Sequence, residues 1–299
     1  LKKGLTAEAA EIMLNSITES TMKQYKCSLK QWWKFTQEEK YDIFNTDANK
    51  LIEFLTQRFQ NGAKYGTLNS DRAAVAIITS KNISEDRLVS RFMRGVFKKR
   101  PTRPKYATTW NTDSVLQYIE MLPDTDQLRM KDLAEKTATL LMLATAQRLQ
   151  TLALINIDNI KMTKSGIEIK IPEIIKTSRP GACQPNLILP FFKEKRSLCV
   201  ARTLLEYMDY TKDLRGMHKS LFITTVKPHK PVSTQTLGHW IKAFLKKSGV
   251  NTDEFTAYST KHAAVSKASS KGVNIDTIRR TAGWSERSKI FGKFYNRPI

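Results

Sequence analysis

The sequence predicts a mainly α-helical protein with a small antiparallel β-sheet, an α+β fold in two domains. Apolar residues recur at helical spacing through most of the 299 residues. Two β-prone runs flank a Pro/Gly turn in the second half, and a basic, proline-containing segment interrupts the helical pattern at residues 98–105.

In chain order, Ser20-Thr21 offer a cap for a helix bearing Tyr25, Leu29, Trp32 and Trp33, and Asp47 one for a helix bearing Leu51, Ile52, Leu55 and Phe59. Further helices are expected over Leu68–Ile78 and Asp86–Phe97, with the aromatic residues of this region read as core. The prolines of Lys98-Lys-Arg-Pro-Thr-Arg-Pro-Lys105 end the last of these, which places a helical domain at 1–98, a basic linker at 99–108 and a second domain at 109–299. Asn111 or Thr112 caps a helix with Val115, Leu116, Tyr118 and Ile119, and another apolar helix covers Leu133–Ala146. Gly166-Ile-Glu-Ile-Lys-Ile171 and Leu187-Ile-Leu-Pro-Phe-Phe192 alternate as strands around the turn segment Lys176-Thr-Ser-Arg-Pro-Gly181. The remainder reads helical over Leu198–Thr211, Thr234–Ser248, a stretch after Lys261, and Ile275–Ala282, where Gly283 stands at a C-cap.

Lys and Arg number 50 against 28 Asp and Glu, a net charge of +22. That imbalance exceeds what solubility requires and points to a polyanion partner, nucleic acid being the commonest. From Ser80 to Ala107 there are nine Lys/Arg and two acids, so the linker reads as a phosphate-tracking strap, the alternative being a solvated, flexible connection. Cys27, Cys183 and Cys199 show no CxxC pairing, and His218, His229, His239 and His262 no metal-like spacing, so neither a disulfide framework nor a metal site is expected. No apolar run reaches the ~18 residues of a membrane span, and the N-terminus lacks the apolar core of a secretory signal. The expectation is a soluble nuclear or cytosolic protein without a membrane partner. The chain opens on Leu1 rather than Met, which reads as part of a longer polypeptide or a trimmed one.

No GxSxG, HExxH, Walker A, GxGxxG or EF-hand pattern occurs. The chemistry is concentrated instead in the tail, from Ala257-Tyr-Ser-Thr-Lys-His-Ala through Gly283-Trp284 to Phe294-Tyr295-Asn-Arg-Pro. There a tyrosine sits among Lys261, His262, Arg279, Arg280, Trp284, Arg287, Lys289 and Lys293. A tyrosine hydroxyl attacks a phosphodiester only where positive charge and hydrogen-bond donors stabilise the phenolate and the charge building on phosphorus.

Four motifs in order resemble the tyrosine recombinase (phage integrase-like) family. Ala146-Gln-Arg148-Leu-Gln-Thr-Leu152 after an apolar helix looks like its first-arginine box, and Lys176 falls at its β-hairpin lysine. Tyr258-Ser-Thr-Lys261-His262 falls at its His-x-x-Arg box, and Gly283-Trp284 precedes Tyr295 at the spacing of the nucleophile. Phe92-Met-Arg-Gly-Val-Phe97, Arg103-Pro-Lys-Tyr, Lys227-Pro-His-Lys230 and Phe294-Tyr-Asn-Arg-Pro298 are similar to recombinases of DIRS-type and related retrotransposons. The likeness runs from Ser20 to the end.

The resemblance implies a helical core-binding domain and a catalytic domain that clamp double-stranded DNA, four subunits in the synapse, and a monomer when free. The catalytic set it implies is Tyr295, Arg148, Lys176, Lys261, Tyr258 and Trp284. Arg148 would offer a planar fork to two phosphate oxygens, Lys176 would protonate the leaving 5′ oxygen, Trp284 would donate its indole N–H, and Tyr295 would form a 3′-phosphotyrosyl bond that needs no ATP, metal or other cofactor. Arg91, Arg94, Lys98, Lys99, Arg100, Arg103, Lys105, Arg179, His262 and Arg287 are the expected DNA contacts, and a nuclear location in the host cell follows.

Two positions depart from the family pattern. Tyr258 replaces its histidine and Lys261 its second arginine, and losing one pre-aimed donor costs ~2.7–4 kcal/mol of transition-state stabilisation. Thr151 stands where many members carry an acid. Hence two alternatives remain at the level of sequence: a DNA-binding relative weakened or inactive in catalysis, and a type IB topoisomerase-like enzyme. Only four residues follow Tyr295, so a docking helix beyond the tyrosine was cut away or another surface makes the tetramer.

Overall fold

The computed structural model describes residues 6–79, 83–181, 183–285, 288, 292, 295 and 297–299, and the chain divides into two units between Arg103 and Pro104. In the first unit, α1 (Ala7–Leu14) buries no residue. Helix α2 (Glu19–Glu38) starts before the expected cap: Thr18 Oγ1 accepts from the Thr21 amide at 3.3 Å, so Thr21 is inside the first turn. Trp32 is fully buried and its indole donates to the Ile43 carbonyl at 3.0 Å. Trp33, one residue and about 100° further round the helix, is exposed and not part of the core face.

Helices α3 (Ala48–Gln60), α4 (Tyr65–Ile78) and α5 (Arg87–Lys99) complete a core in which Trp32, Phe35, Phe54, Leu55, Leu68 and Val89 meet. Asp47 caps α3 through the Lys50 amide at 3.0 Å. Arg58 Nε meets the buried Asp71 carboxylate at 3.1 Å, tying α3 to α4. On α5 the period is complete: Val89, Met93 and Val96 are buried, while Arg87, Arg91, Arg94 and Lys98 are exposed.

The second unit is built around α7 (Met130–Thr145), which is buried on nearly every side. It follows α6 (Thr112–Met121), ends in a left-handed residue at Ala146, φ 47°, and turns sharply into α8 (Leu149–Ala153). Three strands, β1 (Ile160–Thr163), β2 (Gly166–Lys170) and β3 (Asn186–Pro190), form an antiparallel sheet in the order β1-β2-β3. The strand β1 was not expected. Its four residues are half-buried or exposed and carry little pattern of their own, but Ile160 and Met162 pair with Ile169 and Ile167 of β2. Gly166 is required where the strands approach, because a Cβ there would lie 2.1 Å from the Leu189 carbonyl oxygen.

Helices α9 (Val200–Tyr210), α10 (Thr234–Lys247) and α11 (Ser259–Ser270) pack on α7, and α12 (Ile275–Thr281) packs on α11. Gly283, φ 69°, closes α12 in a Schellman turn, the Gly283 amide donating to Arg280 O at 3.1 Å and the Trp284 amide to Arg279 O at 2.8 Å. The entry to this unit is stitched to α11. Tyr106 shares a hydroxyl hydrogen bond with Thr256 at 2.7 Å, Trp110 donates to Ser259 Oγ at 2.9 Å, and Lys267 is ion-paired with Asp113 at 2.5 Å.

Candidate active site

Separate segments of the second unit bring the residues of the site together. Arg148 is the N-cap of α8, directly after the left-handed turn at Ala146, so the break between two helices presents it. The residue before it, Gln147, is buried, and its carboxamide donates to the Thr281 carbonyl at 2.6 Å. That bond ties the arginine turn to the turn carrying Trp284. A Cβ on Gly283 would lie 3.1 Å from Gln147 Oε1, so glycine answers both the positive φ and the close approach.

A pocket of about 810 Å³ opens between these turns and the β2–β3 connection, lined among others by Arg148, Arg179, Cys183, Arg280, Trp284 and Ser285. No carboxylate belongs to its lining among the described residues. Lys176 is exposed on the same connection, next to Thr177 and Ser178, which also line the pocket. Its turn is held by the buried Ile175 and by Ser178, whose hydroxyl accepts from the Ile175 amide at 2.9 Å.

Tyr295 is 6% exposed and enclosed by aromatic rings. His262 stacks on it at 4.3 Å between centroids, Trp284 lies at 4.7 Å, and its hydroxyl is hydrogen bonded to that of Tyr258, the residue preceding α11. Its backbone is fixed by Ser266, which donates to Tyr295 O at 2.9 Å and accepts from the Arg297 amide at 2.9 Å. Further on, Pro298 O accepts from the Thr109 amide at 2.9 Å. Burial, then the Tyr258 hydroxyl, push the Tyr295 phenol well above the ordinary tyrosine value, with Arg148 pulling it down. The tyrosine is therefore a neutral phenol at neutral pH. It borders a second, smaller pocket of about 250 Å³ with Lys105, Tyr106, Tyr258, His262 and Arg297.

Lys261 does not occupy the arginine-lined pocket. It is fully buried, its Nζ donates to the Ala282 carbonyl at 2.6 Å and lies 4.3 Å from the Trp284 ring centroid. Burial, then the like charge of Arg148, lower its pKa to about 6, so at neutral pH an amine rather than a cation rests on the indole. His262 is likewise buried against Tyr106, Tyr258 and Tyr295 rather than exposed as a phosphate contact.

Of the other expected DNA contacts, Arg91, Arg94, Lys98, Lys99, Arg103 and Lys105 are exposed. Arg100 is engaged within its own unit: its guanidinium donates to Phe59 O at 2.7 Å and stacks 3.8 Å from the Phe59 ring. Arg287, with Lys289 and Lys293, lies outside the described residues. Sequence reasoning missed the connecting roles of Gln147 and Ser266, for which the only signal was adjacency to Arg148 and a place one helical turn after His262. It did not separate Arg279, paired with Asp276 at 3.1 Å, from Arg280, which lines the pocket. Among the described residues no group of His, Cys, Asp and Glu is arranged to hold a metal ion, and no helix is long and apolar enough to cross a membrane.

The fold is similar to that of lambda integrase in a dimer bound to a COC' core site, with a TM-score of 0.56 and 14% identity over 97% of this chain and 93% of that one. The integrase of the Tn1549 transposon in complex with circular intermediate DNA gives a TM-score of 0.54 and 14% identity over 85% and 82%. A lambda integrase tetramer bound to a Holliday junction gives 0.55 and 14% over 96% and 75%. At these identities the likeness is one of fold. No curated protein sequence matches the chain. Residues 112–298, more than half of the chain and including Arg148, Lys176, Lys261, Trp284 and Tyr295, match the phage integrase family, and the chain belongs to that family.

Proposed function

We propose that this protein is a site-specific DNA recombinase of a mobile element, cleaving and rejoining strands through a 3′-phosphotyrosyl intermediate at Tyr295. The observation that carries the reading is the juxtaposition of an arginine-lined pocket with no carboxylate among its described lining residues, with Trp284 in its wall, and a buried tyrosine ring 4.7 Å from that tryptophan. In this reading a phosphodiester enters the pocket, Arg148 spans two non-bridging oxygens, and the Trp284 indole donates to one of them. The Tyr295 hydroxyl leaves Tyr258, gives its proton to solvent water and forms the bond to phosphorus. The bond from phosphorus to the 5′ oxygen breaks, with Lys176 delivering the proton.

The exposed basic face of α5 and the cations at 98–105 hold the duplex in a clamp; four subunits assemble on DNA, in line with the lambda integrase tetramer on a Holliday junction, and the free protein is a monomer. The sequence wording of DIRS-type elements supports a retrotransposon source, and with it action in the nucleus of a host cell.

Incubation with a nicked duplex, selected by binding from a randomised pool, should give a covalent protein–DNA adduct that is lost in Tyr295→Phe. An adduct persisting in that variant rules out this nucleophile. The buried, neutral Lys261 and the Tyr258–Tyr295 contact favour a second reading, a DNA-binding relative without turnover. DNA binding with no adduct would select it.

A further inference from the structure

Two adjacent arginines end α12 and differ in what they touch. Arg279 Nη1 is ion-paired with Asp276 at 3.1 Å, while Arg280 has no carboxylate partner among the described residues and lines the large pocket with Arg148 and Arg179. The Schellman turn fixes the relation of Arg280 to Trp284, because the Arg280 carbonyl accepts from the Gly283 amide and the Arg279 carbonyl from the Trp284 amide. The turn is in turn bolted to the residue before Arg148 by the Gln147–Thr281 hydrogen bond. Arg148 and Arg280 are thus presented to one space by two turns joined through the Gln147 side chain.

Three guanidinium groups around a pocket with no carboxylate among its described lining residues mark an anion site. Lys261 contributes nothing to it in this structure, since its amine is buried and committed to the Ala282 carbonyl. We propose that Arg280 supplies the second cationic contact to the scissile phosphate, sharing its non-bridging oxygens with Arg148, while Lys261 braces the turn that carries Trp284. The proposal rests on the recombinase reading of this pocket. A guanidinium suits the task because it stays charged and pairs through a planar fork, whereas the Lys261 amine would have to leave its carbonyl and take up a proton inside the core.

The test compares Arg280→Gln, Arg280→Lys and Arg279→Gln in the full chain. Inorganic phosphate titrated calorimetrically at low salt should bind Arg280→Gln about tenfold or more weakly than wild type, and Arg279→Gln within about twofold. On the nicked duplex, Arg280→Gln should slow adduct formation by about a hundredfold, with Arg280→Lys recovering only part because it lacks the fork. Replacing the scissile phosphate by a neutral methylphosphonate should remove most of the gap between wild type and Arg280→Gln, since one charge fewer needs balancing. Equal losses in Arg279→Gln and Arg280→Gln, or a penalty that persists on the methylphosphonate, overturn the assignment. If the wild type forms no adduct but phosphate binding still depends on Arg280, the recombinase reading falls and the anion contact stands. An adduct formed at full rate by Arg280→Gln does the reverse.

Discussion

Replacing Lys261 with methionine should flatten the pH dependence of stability in the second unit. Burial, reinforced by Arg148, holds the Lys261 amine at about 6 against 10.5 for an ordinary lysine. Between those two values the unfolded chain binds a proton at this residue and the folded chain does not. Stability therefore rises with pH across the window and is lowest at its acid end. Each pH unit inside the window corresponds to ~1.4 kcal/mol, so the three units from about pH 6.5 to pH 9.5 amount to roughly 4 kcal/mol. Methionine keeps an unbranched stem for packing against Trp284 but removes the titrating amine and its bond to the Ala282 carbonyl, a pH-independent loss of roughly 1–3 kcal/mol. Urea denaturation of wild type and variant across this range, followed by circular dichroism, isolates the effect, because groups common to both proteins cancel in the difference. Wild-type stability minus variant stability should climb by about 4 kcal/mol toward the alkaline end. A difference that is flat with pH, or that falls, refutes a neutral Lys261 in the core.

Gly283→Ala puts a Cβ on a residue at φ 69° and within 3.1 Å of Gln147 Oε1, and should destabilise by roughly 1–3 kcal/mol. An unchanged Tm in thermal denaturation would remove the argument for that turn. If the exposed face of α5 meets DNA, Arg91→Ala, Arg94→Ala and Lys98→Ala should each reduce the slope of log affinity against log salt by about one, with similar effects on unrelated sequences. Slopes equal to wild type, measured by fluorescence anisotropy over a salt series, would place the duplex elsewhere.

The helical layout was legible because its signals are local. Asp47 and Asn111 cap the helices expected of them, and the 3.6-residue period of α5 separates Val89, Met93 and Val96 from the arginines between them. Arg148, Trp284 and Tyr295 were legible as a set because the order and spacing of four motifs is information that no one residue carries. What sequence could not supply was the direction of a side chain after the chain had closed around it. Lys261 reads as a cation in any linear pattern, and only the approach of Ala282 O and the Trp284 ring makes it a buried amine. Arg279 and Arg280 are interchangeable on paper. Roughly 100° of helix rotation gives one to Asp276 and the other to the pocket. The strand β1 escaped for a related reason, since its definition lies in its partner rather than in Ile160-Lys-Met-Thr163 itself.

The hydrogen bond from the Thr109 amide to the Pro298 carbonyl joins the first residues after the basic segment to the stretch that bears Tyr295, three residues earlier. Mechanically, these two pieces of chain are coupled in series. Pro298 is anchored to the segment that precedes α6, while the Ser266 hydroxyl anchors the Tyr295 carbonyl and the Arg297 amide to α11. The peptide that carries the phenol is thus pinned from two sides, by a helix hydroxyl and by the backbone at Thr109.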